Sequence, residues 1–286
     1  MRCTSADTFN MAIRKVSSAG IVTMLVGQVA GFALPYNVLA APNGDVFFTG
    51  YKFNVYKYST STGIQSISLP VDMGTNGLAY HSGNVYVAGS RLIETQYDRS
   101  SDGQVYRLLP DLTGVTKFGP PVPAGSTAAQ QPQGIAFNST GDAFVAVSTG
   151  ILKGAPQGSS TPQTWSPWKS GTTPAKNGAE ATQTQLSAYA VAFDAAGNML
   201  VIDSDVRPGD APNRCVVWLV EAATGKLRQV AGSLDGCGSS VDPNNATNTQ
   251  MGRVGAVAFD PTGTSAYIAD PMNQRILKVK LNCAGA

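Results

Sequence analysis

Charge is what this sequence has least of. Charged residues make up 13% of its 286 positions, against about 25% in an ordinary globular domain. Lys and Arg never cluster, and the formal net charge is only +2. A nucleic-acid partner needs a concentrated basic face, so the sequence argues against one. Histidine is nearly missing as well. His81 is the single copy, which excludes histidine-clustered metal centres and His-based catalytic triads. The cysteines Cys3, Cys215, Cys237 and Cys283 form no Cys-x-x-Cys pair, so a zinc site is not expected. No apolar run is long enough to span a bilayer, because the best stretch is interrupted by Ser17, Ser18, Gly20, Thr23, Gly27 and Gln28. Disorder is excluded too, since 43% of the chain is hydrophobic.

What fills the gap is Gly, Ser, Thr and Ala arranged in a repeat. An apolar strand running into a Gly turn recurs at 38–44, 78–83, 135–141, 191–197 and 257–263, and each copy is followed at once by a second apolar strand. The alternation has period two with aromatic and β-branched enrichment, which predicts strand. The turns use Asn-Gly, Ser-Gly and Thr-Gly, where Gly supplies the positive φ that closes a hairpin. A third strand follows at 54–59, 104–109, 215–220 and 276–281, and turns such as EAATG lead into a fourth. Residues 142–170 fit the unit least well, offering only GILKG and TWSPW as continuations.

Four strands per unit, repeating at about 40 residues with insertions, is the pattern of a β-propeller. The stretch VGAVAFDPTGTSAYIADPMNQRILKV (254–279) resembles the NHL repeat: an apolar strand, Asp-x-x-Gly, a strand ending in Ala-Asp, then Asn, Arg-Ile and a Lys-Val strand. The resemblance implies an all-β fold of the six-bladed family in one domain, 1–286. It divides into a partial blade at 6–32 and blades at about 34–70, 76–119, 133–170, 188–232 and 254–282. The N-terminus imitates a secretory leader from Met11 onward. However, Ala6, Asp7, Asn10, Ile13, Lys15 and Val16 repeat Ala269, Asp270, Asn273, Ile276, Lys278 and Val279 in register, which favours blade strands. AIRKV reads as a third strand and IVTMLVG as a fourth. Either about five blades close the ring, or the chain is a piece of a six-bladed fold lacking its first strands; a start inside a repeat favours the second.

The tight turns fall on one face of such a fold and the long connections on the other, which marks the second as the binding face. Connection 90–103 offers Arg91, Glu94, Tyr97 and Asp98; connection 204–214 offers Arg207, Asp210 and Arg214; the link before 254 offers Arg253. Arg and Tyr are common anchors of binding surfaces. The channel mouth, where first strands begin, carries Tyr36, Asn37, Asn76, Gln133 and Tyr189. Asp7, Asp203 and Asp270 share one repeat position and are weak metal candidates; an Asp at a strand end more often accepts backbone N–H bonds. His81 reads as a solvent-facing turn residue.

The expected function is a non-catalytic binding or scaffold module recognising a protein or glycan, with no cofactor, no nucleic acid and no membrane span. The alternative is an enzyme similar to gluconolactonase-type propellers, which hydrolyse lactones with a divalent cation such as Ca²⁺; the mouth residues include no carboxylate to balance that charge. Sequons at Asn138 and Asn245 permit glycosylation. Disulfides joining Cys215 to Cys237 or Cys3 to Cys283 stand against free buried thiols. These features lean towards secretion.

Overall fold

The structure is a computed structural model that describes residues 3–17, 19–27, 34–50, 54–70, 73–91, 103–122, 132–147, 149–154, 164–169, 171–204 and 214–281. Contacts divide the chain into two compact units, residues 1–132 and 133–286. Each contains three antiparallel sheets, giving six blades in all among the described residues. The six-bladed alternative therefore holds over the five-bladed one.

In the first unit, β1 (Cys3–Asp7), β2 (Ala12–Val16) and β3 (Val22–Val26) form a three-stranded sheet. The second sheet runs β4 (Val38–Ala40), β5 (Val46–Thr49), β6 (Asn54–Ser59), β7 (Gly63–Ser68). The third runs β8 (Met73–His81), β9 (Asn84–Arg91), β10 (Gln104–Leu108), β11 (Val115–Lys117). The expected third and fourth strands at the N-terminus are present as β2 and β3. A further strand, β1, pairs with β2 from Cys3↔Val16 to Asp7↔Ala12. The segment CTSAD lacks apolar alternation and gives no strand signal by itself; the ladder to β2 holds it.

In the second unit the order is β12 (Pro132–Phe137), β13 (Ala143–Val147), β14 (Gly150–Gly154), β15 (Ser166–Lys169). Next come β16 (Ala188–Phe193), β17 (Met199–Ser204), β18 (Cys215–Val220), β19 (Leu227–Ala231). The last sheet has β20 (Ala256–Phe259), β21 (Ser265–Asp270) and β22 (Arg275–Lys280). The repeat residues Val38, Leu78, Ile135, Val191 and Val257 all lie on the first strands of their sheets. The least regular unit continues through GILKG and SPWK, as β14 and β15.

Middle strands read as unbroken apolar runs because both faces of a blade are covered. Along β17 and β18, Met199, Val201, Val216, Trp218 and Val220 pack on one side with Ala136, Phe144, Ala146 and Ile151 of the preceding blade. The alternate residues Leu200, Ile202, Val217 and Leu219 pack on the other with Ala266 and Ile268 of the following blade. In the first unit Phe47 joins Val85, Val87 and Tyr106, while its neighbours Val46 and Phe48 join Ile13 and Val26. Full burial of such a side chain stabilises by about 1.5–3 kcal/mol, so a chain poor in charge gains its stability from stacked blades.

Three of the hairpins between first and second strands follow one design. Asn138, Asp194 and Asp260 each accept a backbone N–H four residues on, at 2.8, 2.8 and 2.7 Å. Gly141, Gly197 and Gly263 take φ of 86°, 87° and 71° between those partners, a region that other residues reach only with strain. Cys215 and Cys237 form a disulfide, with Cα atoms 5.2 Å apart. The Cys3–Cys283 pairing lies outside the described residues.

Candidate functional site

Within a blade the first strand begins where the second ends, so mouth residues and strand-end carboxylates occupy the same end. Two innermost strands carry a bulge there. The β8–β9 register shifts between Thr75 and Gly77, and the β16–β17 register between Ala188 and Ala190. The extra residues are Asn76 and Tyr189, two mouth residues named from sequence. A bulge re-aims the side chain of its extra residue, and neither bulge is visible in the residue pattern.

In the first unit the mouth amides are spent on neighbouring backbone. Asn37 Nδ2 donates to the Thr75 carbonyl at 3.3 Å, linking the second blade to the third. The Asn37 N–H donates to Thr49 Oγ1 at 3.2 Å. Asn76 Nδ2 donates to the Pro132 carbonyl at 2.8 Å, 56 residues away. These bonds make the two asparagines fasteners between strands. Tyr36 remains 53% exposed.

In the second unit Tyr189 and Arg253 come together. The Arg253 guanidinium lies over the Tyr189 ring at 4.9 Å from its centroid. Among the described residues no hydrogen-bond or ion-pair partner holds that guanidinium, and Arg253 is exposed. An exposed guanidinium that rests against a ring and has its N–H groups unspent is suited to accepting an anionic or strongly polar ligand group. Gln133 is half-buried at the start of β12, and Arg214 is half-buried before β18. Arg91 closes β9, but its side chain, together with Glu94, Tyr97, Asp98, Arg207 and Asp210, lies outside the described residues.

The strand-end carboxylates have partners of their own. Asp203 is 2% exposed; it accepts the Ser187 N–H at 2.9 Å and the Trp218 indole N–H at 3.3 Å. Asp270 is fully buried; Oδ1 accepts the Gly252 N–H at 3.0 Å, and Oδ2 accepts Asn273 Nδ2 at 2.8 Å and Arg275 Nε at 2.9 Å. Arg275 donates onward to the Gln250 and Ser239 carbonyls. In the first blade Asp7 binds Asn10 at 2.9 Å and Arg14 at 3.0 Å. Met11 and Gln274, at the same repeat position, take left-handed φ of 48° and 53°. The two ends of the chain thus share a turn as well as a sequence.

A divalent cation of the kind the gluconolactonase resemblance implies wants anionic oxygen ligands. Tyr36, Asn37, Asn76, Gln133 and Tyr189 offer none. The oxygens of Asp203 and Asp270 accept N–H groups, and Asp7 is paired with Arg14. Among the described residues no group of three or more His, Cys, Asp or Glu is arranged around a common point that a metal could take. The described residues do not fit such an ion.

At the opposite end of the blades, Lys57 contacts Asp45 at 3.0 Å and Lys153 contacts Asp142 at 2.8 Å. Each lysine also lies over the aromatic ring opposite it in the ladder, Phe47 or Phe144. Burial pushes both carboxyls up, but the lysine and asparagine hydrogen bonds outweigh it and hold them below the usual 3.8. A depressed folded value means that the stabilisation is present above the unfolded value and fades as pH falls through the folded one. Stability should therefore be flat above about pH 5 and decline below about pH 4. In urea melts across that range, Asp45→Asn and Asp142→Asn should shallow the decline; an unaltered acid limb would remove these pairs from the account. His81 ends β8 beside the Ser82–Gly83 turn and is half-buried rather than solvent-facing; burial lowers its pKa.

Sheets of this order and pairing define a six-bladed β-propeller. Solved structures agree. The chain is similar to virginiamycin B lyase from Staphylococcus aureus, with 14% identity and TM-score 0.58 over 98% of this chain and 77% of that one. It is similar to a gluconolactonase from Xanthomonas campestris, with 11% identity and TM-score 0.64 over 97% and 81%. It is also similar to an auxiliary nutrient binding protein from Bacteroides thetaiotaomicron, with 13% identity and TM-score 0.64 over 94% and 63%. At these identities the likeness extends to the fold alone. No protein-family model matches the chain, the NHL repeat included, and no curated protein matches it. Among the described residues no helix is long and apolar enough to cross a membrane.

Proposed function

We propose that the chain is a non-catalytic binding propeller that recognises a protein or glycan on the ends of its blades where second strands finish. The observation that carries this reading is the Arg253–Tyr189 pair: an exposed guanidinium lying over a ring, while among the described residues the strand-end carboxylates Asp7, Asp203 and Asp270 are committed to backbone, indole, amide and arginine donors. Hydrolytic chemistry needs a free base, a nucleophile or a metal at the mouth. Recognition needs aromatic and arginine anchors. No cofactor is required by this reading.

The test is to screen the purified chain on glycan and peptide arrays and to repeat the strongest hits with variants. Arg253→Ala and Tyr189→Ala should each weaken retention about thirtyfold, as expected for a hot-spot contact of about 2 kcal/mol. The double variant Arg207→Ala/Arg214→Ala tests the 204–214 connection. Undiminished retention by all of these variants, or calcium-dependent lactone hydrolysis by the unaltered chain, would overturn the proposal.

A further inference from the structure

The two sequons are placed in opposite circumstances. In Asn138-Ser139-Thr140 the asparagine is half-buried and its amide builds a hairpin. Oδ1 accepts the Thr140 N–H at 3.1 Å, the Thr140 hydroxyl at 2.8 Å and the Asp142 N–H at 2.8 Å. Nδ2 donates to Asp142 Oδ2 at 3.2 Å, and that carboxylate is also the partner of Lys153. In Asn245-Ala246-Thr247 the asparagine is exposed. Its Oδ1 caps the one-turn helix Ala246–Asn248, accepting the Thr247 N–H at 3.1 Å and the Thr247 hydroxyl at 2.7 Å. The surrounding turn is tied by Asp242, which accepts the N–H groups of Asn244 and Asn245 at 2.9 and 3.0 Å and Asn248 Nδ2 at 3.2 Å. Among the described residues nothing is bonded to Asn245 Nδ2.

We infer that Asn245 is an N-glycan acceptor and that Asn138 is not. Nδ2 of Asn245 forms the bond to the anomeric carbon of an oligosaccharide carried on a lipid diphosphate. The anomeric carbon–oxygen bond breaks, the lipid diphosphate leaves with the electron pair, and the amide gives up one of its two protons. None of the bonds that shape the 242–249 turn uses Asn245 Nδ2, so the turn survives the attachment. At Asn138 the same attachment would crowd the Asp142 and Lys153 side chains. Timing separates the sites further. A local hairpin closes in about 1–10 μs, whereas synthesis proceeds at about 5–20 residues per second, so Asn138 is enclosed between β12 and β13 soon after it emerges. The Cys215–Cys237 disulfide in the same unit points independently to the oxidising lumen in which such transfer occurs.

The experiment is secretion of the full chain from eukaryotic cells behind a heterologous leader, with intact mass read before and after peptide-N-glycosidase. One glycan is expected. Asn245→Gln should remove it, Asn138→Gln should leave it, and Thr247→Ala should abolish it while Thr247→Ser retains it with Asn245 in place. An unmodified secreted chain, a glycan surviving Asn245→Gln, or a glycan lost in Asn138→Gln would overturn the inference.

Discussion

Asp270→Ala should destabilise the chain by about 3–5 kcal/mol in urea unfolding, the cost of stranding one partner of a buried ion pair. Asp270 is fully buried and the Arg275 side chain is 19% exposed, so neither solvent nor salt replaces the lost oxygen well. The substitution also leaves the Gly252 N–H and the Asn273 amide without their acceptor. Replacing both partners, Asp270→Ala with Arg275→Met, should recover part of the loss, because an apolar pair needs no compensation. The repeat supplies its own control. Asp7 is the equivalent carboxylate, paired with Arg14 from two residues further along its strand, and these side chains are 29% and 35% exposed, so Asp7→Ala should cost no more than about 1 kcal/mol. Equal losses at the two ends of the chain would contradict the assigned role of burial.

Trp218→Ala should cost a further about 3–5 kcal/mol, the range for truncating a large aromatic in a packed core. The indole is fully buried among Phe144, Val201 and Leu227. Trp218→Phe separates its two contributions. It keeps most of the ring but removes the N–H that reaches Asp203, leaving a buried carboxylate one donor short at about 1–3 kcal/mol. If Trp218→Phe equals wild type, Asp203 draws nothing from the indole. If Phe and Ala cost the same, the hydrogen bond rather than the packing is what the tryptophan supplies.

The blades were legible because two local signals coincide: period-two apolar runs and a glycine at each hairpin. Gly141, Gly197 and Gly263 mark turns from sequence, and the structure gives all three positive φ. The strand-end aspartates were legible as a set for the same reason, being fixed by the repeat. What escaped was whatever depends on the neighbouring blade. The Asn76 bond to Pro132 joins residues 56 apart, and nothing in either local pattern announces it. Tyr189 was visible at the channel mouth and Arg253 in the link before 254, but neither their contact nor the β16 bulge between Ala188 and Ala190, where Tyr189 sits, shows in the local pattern. Strand β1 escaped because Cys3, Thr4, Ser5, Ala6 and Asp7 carry no pattern; its ladder to β2 supplies what the side chains do not.

With Asp7, Asp203 and Asp270 bonded to nearby N–H groups and arginines, no cation is expected at these strand ends. Thermal unfolding of the unaltered chain in millimolar calcium, against the same protein in chelator, tests that expectation most directly. One melting temperature in both solutions is expected. A cation site filled at a hundred times its dissociation constant would add about 2.7 kcal/mol, and a rise of about 5–10 °C in calcium would contradict the account.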